Sequence, residues 1–326
     1  MASIHTAKNW QIPERQATPE ETYINRRKFV KQLGLAGAGL LATAGCGDAK
    51  GNAEVDASAP MEPTPTSNLY PATRNAKFSL DRPLTEESVA ATHNNFYEFT
   101  TNKDQVHRLV GKFETRPWQV EVTGLVHKPK TYDIDELIRQ MPLEERLYRF
   151  RCVEAWAMAV PWTGFPFKAL IDQVQPQASA RFVRLVTFYK PEQARGQKLE
   201  TWWPWPYYEG LTMEEATNEL TLLGTGIYGH ELPKQHGAPI RLIVPWKYGY
   251  KSIKSIVRIE FVAKRPATFW NDQAPKEYDF WSNVDPTVPH PRWSQASEKL
   301  IGTGERVPTQ PYNGYGEYVA DLYKKS

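Results

Sequence analysis

The alternation of apolar and polar residues predicts several short strands in the middle of this chain. Apolar side chains fill every second position of residues 118–124, and a period of two is typical of a strand with one buried face. Four further runs are rich in apolar residues and also predict strands, at 146–153, 181–188, 239–245 and 253–262. The run at 239–245 is bracketed by prolines, which indicates a short buried strand.

Fewer segments carry the signals of helices. Residues 85–90 place acidic residues in a first turn, residues 134–141 predict a short helix, and residues 211–223 predict a longer one. Aromatic residues make up 12% of the chain and prolines number 26, which favours strands and loops over a helical bundle. We therefore predict a strand-rich α+β fold in a single domain.

The N-terminal region has the three parts of an export signal. Residues 25–31 contain a pair of arginines, residues 33–44 are apolar and uncharged, and residues 42–44 read Ala-Thr-Ala, a small-residue cleavage site. The arginine pair indicates the twin-arginine route, which exports folded proteins, often with a cofactor already inserted. An amphipathic helix is disfavoured because the run has no polar face. A lipoprotein site at Cys46 is disfavoured because Thr43 stands where a large aliphatic residue is expected.

The domain prediction follows from these patterns. We predict a signal peptide at 1–44, a linker rich in Ala, Pro, Ser and Thr at 45–83, a catalytic domain at 84–265, and a C-terminal extension at 266–326 that wraps over the same domain. A formal charge of +3 gives no indication of nucleic-acid binding. No other stretch is long and apolar enough to predict a membrane span.

Cys152 is the main candidate for chemistry. The only other cysteine is Cys46, so an exported mature chain would leave Cys152 without an intramolecular partner. A metal would keep such a thiolate bound and protected, whereas the alternative is an ordinary buried core thiol. The seven histidines show no zinc-type spacing, so further metal ligands would come from a cofactor such as a dithiolene-bearing pterin.

Three polar segments are candidates for binding that cofactor. Residues 94–99 interleave amides and a carboxylate with aromatics, residues 236–241 combine His236 and Arg241, and residues 247–256 place lysines and serines in one loop. The alternatives are an ordinary turn at 94–99 and a solvated basic loop at 247–256.

Taken together, these segments resemble the sulfite-oxidase-like molybdopterin proteins. The matching stretches lie at 94–99, 151–156, 207–211 and 237–249. Within that family they are most similar to the branch that reduces methionine sulfoxide in periplasmic proteins. The resemblance implies a sulfite-oxidase-like fold and a molybdenum–molybdopterin cofactor.

The resemblance also implies roles for single residues. Cys152 would bind molybdenum, and a set of nine residues would contact the pterin or its phosphate: Asn94, Tyr97, Glu98, Thr187, His236, Arg241, Ser252, Ile253 and Lys254. The reaction would be oxygen-atom transfer, and the electron donor a haem-containing membrane subunit. The chain after residue 262 is too short and proline-rich for the dimerisation domain of sulfite oxidases, so we expect a monomer apart from that subunit.

Two other functions and one unexplained segment stay open. The two alternative functions are a sulfite or other S-/N-oxide oxidoreductase on the same cofactor and a non-catalytic exported binding protein. The aromatic run at 202–208 predicts either a substrate entrance, a surface for the membrane partner, or plain packing under a loop, and packing is favoured.

Overall fold

Residues 62–324 are described by the computed structural model. The predicted signal peptide, Cys46 and the first part of the predicted linker lie outside the described residues. The strands within residues 62–324 are β1 (Gln119–Gly124), β2 (Lys130–Asp133), β3 (Glu144–Arg151), β4 (Trp156–Pro166), β5 (Phe182–Thr187), β6 (Tyr208–Thr212), β7 (Leu222–Ile227), β8 (His230–Glu231), β9 (Arg241–Ile243), β10 (Ile256–Val262), β11 (Ser297–Leu300) and β12 (Arg306–Pro308).

Short helices connect these strands. The α-helices of the same residues are α1 (Glu87–Thr92), α2 (Val106–Leu109), α3 (Ile134–Gln140), α4 (Phe167–Val174), α5 (Arg195–Leu199), α6 (Met213–Thr217), α7 (Phe269–Gln273) and α8 (Gly316–Val319). Single 3₁₀ turns lie at Ser67–Leu69, Lys234–His236, Gly249–Lys251, Pro311–Gly314 and Ala320–Tyr323. This mixture of strands and short helices confirms the predicted α+β class.

In the described part of the chain the strands form two sheets. The first has the order β2-β1-β10-β5-β6, in which β1 and β10 are parallel and the other pairs are antiparallel. The second is built around β4, which pairs with β3 along one edge and with β11 and then β7 along the other. Because β4 has neighbours on both edges and is buried along almost its whole length, it forms the centre of this sheet.

The predicted strands and the first two helices are present, with ends shifted by a few residues. The predicted helix at 211–223 is wrong, since only α6 is helical there and strands β6 and β7 flank it. Thr212 and Glu215 form a capping box that starts α6, and Asn218 leaves the helical region with a ψ of 141°. Leu222 and Leu223 are then fully buried in β7, so sheet pairing prevails over local helix propensity.

Residues 62–83, which the sequence predicts as linker, pack against the sheets. Thr66 is buried and its hydroxyl donates a hydrogen bond to Glu231 at 2.7 Å. The hydroxyl of Tyr70 donates to Thr225 at 2.7 Å, and the ring of Phe78 packs edge-on against Tyr148. The domain boundaries themselves stay predictions.

Candidate active site

Cys152 lies in the tight turn that joins β3 to β4. Its backbone N–H donates to the carbonyl of Trp156 at 2.9 Å, and its own carbonyl accepts from the N–H of Ala155 at 3.1 Å. Ala155 has a φ of 63°, in the left-handed region that L-residues seldom adopt. The turn is therefore a defined structure that fixes the direction of the thiol.

The C-terminal segment holds this turn from behind. The guanidinium of Arg151 is fully buried and donates to the carbonyl of Cys152, to Glu298 at 3.1 Å and to Gln295 at 2.8 Å. Trp293 and Gln295 both donate to the carbonyl of Val153, at 2.7 and 2.8 Å. Two residues of the turn thus depend on a segment about 140 residues further along the chain.

The Sγ atom of Cys152 has polar neighbours on one side. The N–H of Glu154 lies 3.4 Å away, the amide nitrogen of Asn95 3.5 Å away, and the Glu154 carboxylate 3.9 Å away. Burial, reinforced by the charge of Glu154, raises the pKa of Cys152 to about 12. The protein alone therefore keeps this thiol protonated at neutral pH, and a bound metal would be needed to hold it as a thiolate.

Glu154 is a charged group at the mouth of the site. Burial alone would raise its pKa, but hydrogen bonds from Lys103, Asn95 and Trp156 lower it below the usual value. The three donors lie 3.0, 3.2 and 3.1 Å from the same carboxylate oxygen. Sequence reasoning noted Glu154 as a neighbour of the thiol but missed Asn95, because adjacent amides at 94 and 95 give no sign of which one faces it.

The thiol opens into a cavity with about 890 Å³ of empty space, part of which is continuous with solvent. All but one of the residues predicted for the site line this cavity: Cys152, Asn94, Tyr97, Glu98, His236, Arg241, Ser252, Ile253 and Lys254. Segments that lie far apart in the sequence therefore meet here, while the role of each as a ligand stays a prediction.

Thr187 is the predicted site residue that does not line the cavity. It is buried at the end of β5, and its hydroxyl donates to the carbonyl of Ser255 at 3.1 Å. It is therefore one hydrogen bond away from the loop that carries Ser252, Ile253 and Lys254.

The far part of the cavity is cationic. Arg241 is buried and donates only to backbone carbonyls, those of His236 at 2.9 Å, Ser252 at 3.1 Å and Leu242 at 3.5 Å. The ammonium of Lys254 donates to the carbonyl of Asn95. Within residues 62–324 neither cation has a carboxylate within 4.0 Å. Burial lowers the pKa of Arg241 to about 9, so an anionic ligand would be strongly favoured beside it.

Further polar groups in the cavity lack partners in the described part of the protein. Both side-chain polar atoms of Asn94 and the indole N–H of Trp162 are buried without a hydrogen bond. Burial raises the pKa of Glu98 and lowers that of Lys254. Buried polar groups are rarely left unsatisfied, so these observations fit a polar ligand with an anionic tail, as a molybdopterin is.

His236 enters the cavity as a neutral imidazole. Burial, together with the nearby Arg241 and Lys254, lowers its pKa to about 3. The neighbouring Gly237 has a φ of +95°, and a Cβ there would lie 2.6 Å from the side chain of Lys254. A glycine is therefore required for this turn to bring His236 and Lys254 to the same cavity.

Aromatic side chains form much of the remaining wall. These residues are Phe150, Trp156, Trp162, Tyr207, Tyr250, Trp270 and Tyr278. The sequence did not identify them as a group. The one usable signal was the run at 202–208, whose Tyr207 reaches the cavity. Trp203 and Trp205 instead pack with Phe269, and Trp202 is 68% exposed. The favoured interpretation of that run as packing thus describes Trp203 and Trp205.

No three His, Cys, Asp or Glu side chains converge into a metal-binding group among residues 62–324. No helix in that range is long and apolar enough to cross a membrane.

Comparisons with known proteins identify the family of the chain. Residues 107–270 match the family described as oxidoreductase molybdopterin binding domain. The protein-methionine-sulfoxide reductase catalytic subunit MsrP of Burkholderia mallei (strain ATCC 23344) is 47% identical over 318 residues, which cover 96% of this chain and 93% of that protein. Among solved structures, the sulfane dehydrogenase SoxCD from Paracoccus pantotrophus has 16% identity and a TM-score of 0.44, over 57% of this chain and 51% of that chain.

Proposed function

The chain belongs to the molybdopterin-binding oxidoreductases, in the branch of the MsrP catalytic subunits, and from this membership we propose that it reduces methionine sulfoxide residues in periplasmic proteins. The observation that carries the proposal is the joint placement in one cavity of the Cys152 thiol and of Arg241 and Lys254, which have no carboxylate within 4.0 Å among residues 62–324. A thiol and a cationic pocket are what a metal-bearing pterin with a phosphate would need at its two ends.

We propose that Cys152 binds molybdenum and that the rest of the cavity holds the pterin. The proposed pterin residues are Asn94, Tyr97, Glu98, His236, Arg241, Ser252, Ile253 and Lys254, and Thr187 supports their loop through Ser255. The unsatisfied amide of Asn94 and the neutral ring of His236 provide neutral donors, while Arg241 and Lys254 provide charge. The residues present therefore fit the cofactor.

Over one turnover the S–O bond of the sulfoxide breaks, two electrons and two protons enter, and a thioether and water leave. The chemistry that a bound molybdenum cofactor would supply is a two-electron reductant and an acceptor for the oxygen atom. The chain's own residues position the substrate. Tyr97, Trp270 and Tyr278 give an aromatic wall for the uncharged side chain, and Asn95 presents an amide N–H near the thiol.

The ionised Glu154 favours a neutral substrate over sulfite. Its carboxylate lies 3.9 Å from the Cys152 sulfur, so a sulfite dianion in the reacting position would meet a like charge. A methionine sulfoxide side chain carries no charge and avoids that repulsion. This distinguishes the proposal from a sulfite or other S-/N-oxide oxidoreductase on the same cofactor.

The partner and the compartment are part of the proposal. We propose that the haem-containing membrane subunit MsrQ delivers the electrons, which agrees with the words "catalytic subunit" in the name of the Burkholderia relative. The paired arginines and the apolar run at 25–44 support export to the periplasm by the twin-arginine route.

The test compares Cys152→Ser with Cys46→Ser, since these two changes remove the two cysteines one at a time. We expect the Cys152 variant to lose its molybdenum and all reduction of methionine sulfoxide by a reduced dye, because a serine hydroxyl is a poor ligand for a soft metal site. The Cys46 variant should keep both. Molybdenum is measured by elemental analysis and pterin by fluorescence.

Three results would contradict the proposal. Full retention of metal and turnover by the Cys152 variant would remove the ligand role. Faster turnover of sulfite than of methionine sulfoxide by the wild type would favour the alternative oxidoreductase. A folded wild-type chain without molybdenum or pterin, after expression in a host that makes the cofactor, would indicate a non-catalytic binding protein.

A further inference from the structure

A wide groove runs across the surface from the cofactor cavity. Five residues line both: Tyr97, Glu154, Trp156, Trp270 and Tyr278. The groove encloses about 2090 Å³ of empty space that is continuous with solvent, far more than a single amino-acid side chain fills. We call it the rim groove. Its size and its continuity with the cavity suit a stretch of polypeptide whose sulfoxide side chain reaches the thiol.

We propose that the rim groove binds acidic segments of oxidised proteins and so makes the enzyme prefer methionine sulfoxide that is flanked by Asp and Glu. This inference rests on the proposed function. It adds a class of substrate sequence and assigns specificity to Lys299 and Arg306.

The charges around the rim groove are unequal. Its walls carry the cations Lys103, Arg108, Arg292, Lys299 and Arg306, against the carboxylates of Asp104 and Glu154. Both carboxylates are already engaged, Asp104 with His93 at 2.7 Å and Glu154 with Lys103 at 3.0 Å. Of the cations, Lys103 is paired with Glu154 and Arg292 with Glu277 at 2.7 Å, so the positive charge that can attract an anionic segment is assigned to Lys299 and Arg306.

The two cations of the rim groove most relevant to substrate binding are Lys299 and Arg306. They are cross-strand partners in the antiparallel pair β11–β12, and both are exposed. Like charges directly opposite each other destabilise a strand pair. Among residues 62–324 neither one forms a salt bridge that would offset this repulsion. An Asp or Glu of a bound segment would offset it, as a carboxylate lying between the two cations.

The floor and the walls of the rim groove favour different parts of a substrate. The floor near the thiol is formed by Glu154 and the rings of Trp156, Trp270 and Tyr278, and these rings suit a neutral, polarisable side chain. Lys299 and Arg306 belong to the β11–β12 hairpin on the wall. A segment that is neutral at its centre and acidic on its flanks matches this arrangement.

The test uses the molybdenum-loaded enzyme and three substrates at low ionic strength. These are free methionine sulfoxide and two peptides that differ only in having Glu or Lys on both sides of one methionine sulfoxide. We expect kcat/KM to be about tenfold higher for the Glu peptide than for the Lys peptide, and the difference to shrink at about 0.5 M salt.

The variants reverse charge at matched places. Lys299→Glu with Arg306→Glu should reverse the preference of the two peptides, and Lys299→Gln with Arg306→Gln should abolish it without introducing new carboxylates. Lys128→Glu with Lys130→Glu changes the net charge by the same amount at exposed positions outside the rim groove, and should leave the preference intact. Turnover of free methionine sulfoxide should stay within about twofold in all three variants, because none of these residues lines the cofactor cavity.

The outcomes separate this inference from the proposed function. Equal kcat/KM for the two peptides, with free methionine sulfoxide still reduced, would overturn the inference alone. An equal loss of preference in the Lys128/Lys130 variant would also overturn it, since net charge would then be the cause. If the Lys299/Arg306 variants slowed only electron delivery from the membrane subunit, the rim groove would belong to that donor. No turnover of any sulfoxide by the wild type would refute the proposed function itself.

Discussion

Two groups of buried cations in this protein differ in what surrounds them. Lys247 and Lys251 each lie against a carboxylate, Glu215 at 2.5 Å and Glu209 at 2.7 Å, and their ammonium groups also donate to backbone carbonyls. Arg241 and Lys254 have only uncharged acceptors in the described residues. Glu98 interacts electrostatically with Lys254 but forms no ion pair with either cation among residues 62–324. A buried charge without a carboxylate in contact is costly, so the second group indicates an anion that the first group does not need.

Structural charges and ligand-binding charges in this protein can be distinguished by their partners. The paired lysines connect the C-terminal segment and β6 to the core, since Glu215 also accepts from Tyr323 and Glu209 from Tyr207. The unpaired cations line the cavity that also contains the thiol. Changes in the first group should therefore alter folding, and changes in the second should alter retention of the cofactor.

The largest effect is expected from Lys247→Met. It leaves Glu215 buried without its cation, and we expect the free energy of unfolding to fall by about 3–5 kcal/mol. Urea unfolding measures this, with molybdenum per folded chain as the second readout, which should not change. The control is Lys247→Met with Glu215→Gln, which removes both charges and should recover much of the loss. A loss of molybdenum from correctly folded protein would break the distinction between the two groups.

A smaller change in free energy is expected from Arg241→Met, and it should affect retention of the cofactor and not folding. Loss of a charge-assisted hydrogen bond to the cofactor should weaken its binding by about 1.5–3 kcal/mol, so retention of molybdopterin should fall about tenfold or more. The free energy of unfolding of the cofactor-free protein should change by less than about 1 kcal/mol, because an unpaired buried charge disappears together with its desolvation cost.

Arg241→Lys is the matched control for that change. It keeps the charge but not the planar fork, so retention should lie between that of the wild type and that of the methionine variant. Molybdenum and pterin per chain after dialysis measure retention. If Arg241→Met destabilised the protein as strongly as Lys247→Met and kept its cofactor, the guanidinium would be a structural cation after all.

The smallest effect is expected from Thr187→Val. The change removes the hydrogen bond to the carbonyl of Ser255, worth about 1 kcal/mol, and so should reduce cofactor retention by no more than about fivefold. Thr187→Ser keeps the hydroxyl and should behave as the wild type. A loss equal to that of Arg241→Met would mean that Thr187 contacts the ligand directly, contrary to its place outside the cavity lining.

The sequence allowed good prediction wherever the signal was local. The strand at 146–153 and the thiol at its end follow from a short apolar run. The helix at 211–223 failed because Leu222 and Leu223 are buried by pairing with β4 and β9, which no local pattern encodes.

The rest of the site depends on contacts between distant segments. Lys299 pairs with Trp156 across β11 and β4, and this pairing sets β11 and its neighbour β12 beside the active site. Neither the short strand at Ser297–Leu300 nor its parallel pairing has a periodic signal of its own. The aromatic wall was equally hidden, because Tyr207 precedes β6, Trp270 lies in α7 and Tyr278 lies in the loop after α7, with no common spacing.

The hydrogen bonds from Arg151, Trp293 and Gln295 to the Cys152 turn have a consequence for biosynthesis. A ribosome finishes the thiol-bearing turn long before it makes residues 293–298, so the nascent protein cannot complete this site until those residues have been made. Insertion of the proposed cofactor should therefore follow their synthesis, an order that suits the proposed export of an already folded protein.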